Sequence, residues 1–382
     1  MKNKNNLAQK IYCLCFPVFL MLPLMFVNID EEAISEQENR PLTQFPELFV
    51  YDDLNMNYSV AMDNYLNDRI GFRDQLIMAN ALIQYNVFGR MENGDRYRLG
   101  PDGEFNIIEE GVVETYQHLN LYSEAEVDNI VNSFQTVDDY LEDKNIDFYY
   151  MMCYDKETIY PEYFPDSVIQ YGDISRTDQI INGLTDHSSV TVVPVKEKFI
   201  SQKSNYELYS KYGDPVHWTW RGAFYGYSLL MNTINQNKSG NIYPVLKEED
   251  FDISLTDQGM SFYFGVSREN ISEEFVLKNT SNVLCSNASD YYPSFAGYNT
   301  YYHTNEKVDN DTRCLVICNS FFINYLRDMI SESFSETMFV WGGIDPNIDK
   351  WIEDYKPDIV IYESAERYES FENIVETADS IE

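Results

Sequence analysis

Apolar positions fall into three regimes along the chain. The first is Ile11–Val27 (IYCLCFPVFLMLPLMFV), 17 residues without a charge, behind Lys2, Lys4 and Lys10 and ahead of Asp30, Glu31 and Glu32. Seventeen residues just span a bilayer and exceed most secretory h-regions, and no small-x-small cleavage site follows. The pattern therefore predicts residues 1–28 as a cytoplasmic start and uncleaved anchor, with everything past about residue 30 outside the cell. A cleaved signal peptide leads to the same compartment. In the second regime, residues 29–60 read as extended and irregular, with two prolines in ENRPLTQFPEL (Glu38–Leu48). Helical spacing follows from Ala61 to Asn86 around NDRIGFRDQLI. Gly89–Asn106 (GRMENGDRYRLGPDGEFN) reads as turns and then a hairpin.

The third regime starts near residue 120, where helical and strand patterns alternate. Ser123 and Glu126 form a capping box ahead of a periodic stretch that ends near Asp143. Short apolar runs follow at Ile146–Cys153 (IDFYYMMC), Val190–Val195 (VTVVPV), 314–318 (CLVIC), 337–341 (TMFVW) and 358–362 (DIVIY), with helix-length segments between several of them. Apolar strands alternating with amphipathic helices predict an α/β fold, a mostly parallel sheet covered on both faces. In such sheets function gathers at the carboxyl ends of the strands, so the residues just after each run are the ones to inspect.

Composition narrows the partners. The 382 residues carry 27 Lys+Arg against 63 Asp+Glu, a formal charge of −36, yet 44% are apolar and 15% aromatic. That apolar share excludes global disorder. Phosphate backbones would repel so acidic a body, which excludes nucleic acid as a partner and mildly favours a neutral one over anionic lipid or wall polymer. Of the six cysteines, Cys13 and Cys15 lie in the apolar leader, and Cys314 and Cys318 read as small buried hydrophobes. With no C-x-x-C pair and four histidines in all, neither a disulfide framework nor a structural zinc site is expected.

Two segments carry chemistry. Asn319-Ser320 follows CLVIC directly and precedes the helix-like FFINYLRDMI. A serine at such a turn exposes its hydroxyl at the rim of the sheet, and the helix amino terminus beyond offers N–H groups to an oxyanion. The same position also suits an ordinary N-cap. The second segment is GDPVHWT (Gly213–Thr219), followed by WRGAFYGYSLLMNTI. A serine nucleophile needs an imidazole to take its proton and a carboxylate to orient the ring. Asp214 and His217 can form that pair within one loop, and Thr219 can cap the next helix. His118, His187 and His303 sit in no comparable motif, so His217 is the candidate base among the four.

On these two blocks together, the chain resembles the SGNH/GDSL hydrolase-like superfamily, in its membrane-anchored polysaccharide O-acetyltransferase branch of DHHW-type and alginate O-acetyltransferase-like proteins. The resemblance runs through nearly the whole chain after the anchor: ENRPLTQFP, NDRIGFRDQLI, LGPDG, DKETIYPEYFP (Asp155–Pro165), GDPVHWTWRGAFYGY, VICNSF and KPDIVIYESAERY. The HWT-x-x-GA and NSF blocks, in that order, are its specific part. The resemblance implies a flavodoxin-like three-layer α/β/α domain over residues 111–382, preceded by a membrane-proximal extension over 29–110. It implies Ser320 as nucleophile, His217 as base and Asp214 as orienting acid, with no cofactor. Two features depart from the branch. It reads D-x-H-W, whereas here two residues separate acid and base and Pro215 stands at the expected acid position. Asn319 also replaces the usual aspartate before the serine.

Further polar contacts are sought at the ends of neighbouring strands. Gly343 lies in WGG, where backbone N–H can approach an oxyanion closely. Arg367 lies in ESAERY, where an SGNH esterase would carry G-x-N-D, and can either donate to an acyl or sugar oxygen or pair with an acid. Tyr325, a turn and a half beyond Ser320, either reaches the site or packs. The resemblance further implies acetyl transfer to hydroxyls of a cell-surface or secreted polysaccharide, supplied by a multi-pass membrane acyltransferase. The rival readings are a carbohydrate esterase with the same three residues and a non-catalytic surface scaffold.

Overall fold

All five apolar runs enter one sheet in the computed structural model. The structure describes residues 2–30, 33–35, 40–50, 53–90, 96–109, 111–238, 242–259, 268–285 and 288–381. Residues 38–39 of the proline-bearing stretch and 91–95 of the turn-rich stretch lie outside them. Seven strands make the sheet: β1 (Asp147–Cys153), β2 (Thr191–Val192), β3 (Val283–Cys285), β4 (Thr300–Thr304), β5 (Arg313–Cys318), β6 (Glu336–Trp341) and β7 (Ile359–Ala365), in the order β3-β4-β6-β5-β7-β1-β2. The five strands from β6 to β2 are mutually parallel, and β4 and β3 add antiparallel strands beyond β6. Only two residues of VTVVPV join the ladder, because Pro194 has no N–H to donate and instead precedes the helix Val195–Gln202.

Alternation along β1 assigns the layers. Tyr150 packs on Phe134 of helix α1 (Glu124–Glu142), with ring centroids 4.7 Å apart, and Tyr362 of β7 lies 6.2 Å from the same ring. The next residue, Met151, points the other way, toward Gly226 of helix α2 (Trp220–Asn237). Helices thus cover both faces, and β5, β7 and β1 are buried on both sides. This is the expected three-layer α/β/α architecture with a mostly parallel sheet. Ser123 and Glu126 form the capping box at the start of α1. Tyr97–Leu99 and Phe105–Ile107 form the expected hairpin.

Two compact units divide the chain, one holding the described residues up to Arg90 and the other those from Arg96 onward. In the first, the helix Lys2–Met21 and the turn Pro23–Phe26 contain one stretch, Gln9–Phe26, long and apolar enough to cross a membrane. Helices Tyr58–Arg69 and Arg73–Phe88 follow. Asp68 and Arg69 of the NDR segment explain how an irregular strip is held. Asp68 accepts from the Thr43 N–H at 2.6 Å and hydroxyl at 2.8 Å, and the buried Arg69 donates to the carbonyls of Thr43 at 2.6 Å and Asn28 at 3.2 Å. Side chains thereby satisfy backbone groups that no sheet pairs.

Candidate active site

Strand β5 is central and flanked by parallel partners on both sides, so its carboxyl end is fixed by two ladders. Asn319 leaves it and Ser320 opens the helix beyond. The Asn319 N–H donates to Glu363 Oε2 at 2.8 Å, and Asn319 Oδ1 accepts from the Phe321 N–H at 3.1 Å, an Asx turn that wraps the serine. The Gly342 N–H is taken by the Cys318 carbonyl at 2.9 Å. Among the described residues, this leaves the N–H groups of Ser320 and Gly343 at this rim without a protein acceptor.

The loop 210–219 brings the imidazole to this turn. Tyr209 and Trp218 form an isolated antiparallel bridge across its base, and the Trp218 indole N–H donates to the Tyr209 hydroxyl at 2.6 Å. Ser210 Oγ accepts from the Gly213 N–H at 2.6 Å. Thr219 then caps α2, accepting from the Gly222 N–H at 3.0 Å. Gly222 is required by close approach, since a Cβ there would lie 2.2 Å from the Leu208 carbonyl oxygen. Trp218 and Phe321, the residues after His217 and Ser320, pack ring to ring at 5.1 Å, and Phe321 also meets the His217 ring at 5.0 Å. The aromatic residue in each block therefore docks one block on the other.

At the junction, His217 Nε2 lies 2.8 Å from Ser320 Oγ, and His217 Nδ1 lies 2.8 Å from Asp214 Oδ2. Asp214 Oδ1 accepts from the N–H groups of Val216 at 2.8 Å and His217 at 3.1 Å. The extra residue in D-x-x-H is what lets the carboxylate fold back on its own loop. Burial alone would push the Asp214 carboxyl up. The hydrogen bond and charge of His217, with the two amides, outweigh it and hold the group below the usual carboxylate range. Asp214, His217 and Ser320 are thus brought together in one hydrogen-bonded row.

The remaining candidates are dispersed. Asn319 spends its backbone N–H and side-chain oxygen on the turn itself. Gly343 lines a cavity of about 180 Å³ together with Gly342, Asn319 and Glu363. Arg367 is 8% exposed. Its buried guanidinium is ion-paired with buried Asp155, donates to the Val216 carbonyl at 3.4 Å, and lies 5.9 Å from the Phe321 ring. Arg367 therefore ties the end of β1 to the His217 loop. Tyr325 is half-buried, with its ring centroid 5.9 Å from that of His217. His303 is buried against Asn282, and burial pulls it down to about 4. Cys153, Cys314 and Cys318 are free and buried, and burial pushes their thiols up.

Sequence reasoning misses Glu363. It is 1% exposed, and burial pushes its carboxyl up to about 8 despite the hydrogen bond from Asn319. The signal was available: an acid stands in the apolar run DIVIYES, where the strand pattern calls for an apolar residue.

No protein-family model and no curated protein matches the chain. Solved structures do. Bacillus cereus PatB1, with a sulfonyl adduct, aligns with a TM-score of 0.51 at 17% identity, covering 72% of this chain and 99% of that one. A DHHW family protein from Eubacterium siraeum aligns with a TM-score of 0.46 at 13% identity, covering 74% and 96%. The O-acetyltransferase domain of Pseudomonas putida AlgJ aligns with a TM-score of 0.44 at 12% identity, covering 72% and 91%. At these identities the likeness to PatB1 speaks for a shared fold alone.

Proposed function

We propose that this SGNH-like fold is an extracytoplasmic O-acetyltransferase, which moves an acetyl group through acyl-Ser320 onto hydroxyls of a cell-surface or secreted polysaccharide. The observation that carries this reading is the row Asp214–His217–Ser320, two contacts of 2.8 Å each at the carboxyl end of a central parallel strand. Residues 111–382 carry the chemistry and the apolar N-terminal helix holds it at the membrane.

In the first half-reaction, His217 Nε2 takes the Ser320 proton as Oγ attacks the acyl carbonyl carbon, and the carbonyl electron pair moves onto oxygen. The N–H groups of Ser320 and Gly343 are the donors proposed for that oxyanion. Collapse breaks the bond to the leaving group, which departs with the proton from His217. In the second half, a sugar hydroxyl gives its proton to His217 and attacks the acyl-serine. Collapse of this intermediate returns the proton to Ser320 Oγ. Asp214 keeps Nδ1 protonated and stabilises the imidazolium throughout. The donor is a multi-pass membrane acyltransferase that passes acetyl across the bilayer.

Labelling the full chain with a serine-reactive fluorophosphonate tests the nucleophile: the adduct is expected in the parent and lost in Ser320→Ala. Incubation with an activated acetyl ester and candidate glycans then tests transfer, with acetylated glycan as the expected product. Free acetate alone would make the chain an esterase. No Ser320-dependent adduct in folded protein would leave a scaffold.

A further inference from the structure

The helix that opens at Ser320 leaves α geometry within its first turn. Phe322–Leu326 is a π turn, with Arg327–Ser331 returning to α geometry. In an α-helix the residue five positions beyond Ser320 would point roughly 140° away from it. The π turn, closed by the Arg327 N–H on the Phe322 carbonyl, turns less per residue than an α-helix and so narrows that angle. The Tyr325 ring meets that of His217, with centroids 5.9 Å apart, and packs edge-to-face with Trp220 at 5.0 Å. Burial pushes the Tyr325 phenol up, so the ring stays neutral.

That ring is also one wall of a cavity of about 320 Å³. Half-buried Trp220 forms a second wall, Phe251 is part of the lining, and Glu274, Asn324 and Asp328 contribute polar groups. The volume is at the small end of the range for ligand sites, and the mix of aromatic faces with a few polar groups is their usual composition. Its charge is selective. Arg327, also in the lining, is held by Asp328 at 3.2 Å and lies 4.9 Å from the Tyr301 ring, which leaves Glu274 unbalanced.

We propose that this cavity is the acceptor subsite, and that it takes a neutral pyranose ring of a glycan chain against Trp220 and Tyr325. The proposal rests on the acyl-transfer reading for its purpose, but not for its ligand. The apolar face of a pyranose suits the two rings, its hydroxyls suit Glu274, Asn324 and Asp328, and a uronate is disfavoured by the unbalanced Glu274. Tyr325 borders both the cavity and His217, so a glycan held in the cavity is one ring away from the base.

The test is calorimetric titration of the full-length Ser320→Ala chain with a neutral β-1,4-glucose tetramer and a β-1,4-mannuronate tetramer. Binding of the neutral tetramer is expected, weakened about tenfold by Trp220→Ala and restored by Trp220→Tyr, which also controls for folding. Equal affinity with Trp220→Ala, tighter binding of the uronate, or no binding of the neutral tetramer would each overturn the proposal. Fluorophosphonate labelling of the parent separates the two readings. Labelled Ser320 without glycan binding sinks the subsite alone, and Trp220-dependent binding without labelling sinks the enzyme alone.

Discussion

Asp214 performs two tasks with two oxygens: Oδ2 faces the imidazole, and Oδ1 ties down the amides of Val216 and His217. Asp214→Asn keeps an acceptor for the amides but can offer Nδ1 the wrong partner, so the loop stays folded while the tautomer is lost. Acyl-serine formation, followed by mass spectrometry, is expected to slow by about 10³–10⁴-fold. Glu363 acts through the turn that it holds. Its carboxyl faces the Cys153 and Cys318 thiols, Glu369 and the Asn319 N–H, and burial keeps it protonated up to about pH 8. Above that pH an anion forms behind the serine and opposes the developing oxyanion. The rate of Ser320 acylation is expected to fall through an alkaline limb near pH 8, and Glu363→Gln to remove that limb. Much of the site is legible in the sequence because its parts are local: Asp214 and His217 share one loop, and Ser320 ends an apolar run. Glu363 and Arg367 are harder to read, because whether a charged side chain in a strand end serves the site or buries an ion pair depends on neighbours over a hundred residues away.

Strands buried on both faces are legible for the same reason as the site blocks, since nothing but a continuous apolar run fits between two helical layers. The antiparallel pair β3 and β4 is not, because VLC runs from exposed to half-buried and TYYHT from half-buried to buried, neither with a period of two. The π turn leaves no mark either, as its residues pattern like any amphipathic helix. Element packing also sets a sharp test of how the base is delivered. Gly222→Ala puts a methyl 2.2 Å from the Leu208 carbonyl oxygen, a backbone atom that cannot rotate away. Loss of about 1–3 kcal/mol in thermal unfolding is expected. Fluorophosphonate labelling should fall with it, because Leu208 accepts the Thr219 N–H that anchors the end of the His217 loop.

Across the molecule, the −36 charge is accompanied by buried acids whose carboxyls are pushed up, first of all by burial: Glu157 to about 8, Glu363 to about 8 and Glu366 to about 7. The folded state holds protons on these groups that the unfolded chain releases near pH 4.5. Their contribution is complete below that pH and is lost as pH climbs through 7 and 8. Lys156, pulled down to about 8 by burial, adds a slope of opposite sign only above this window. The melting temperature is therefore expected to decline between about pH 5 and 8, and a flat profile would contradict the burial of these acids. The two sides of the row also differ in how firmly they are built. Ser320 sits at the end of a strand laced into two parallel ladders, whereas the base rides a loop held by the Tyr209–Trp218 bridge and by side-chain contacts. Displacing the base means parting side chains one by one, whereas displacing the nucleophile means tearing two ladders at once.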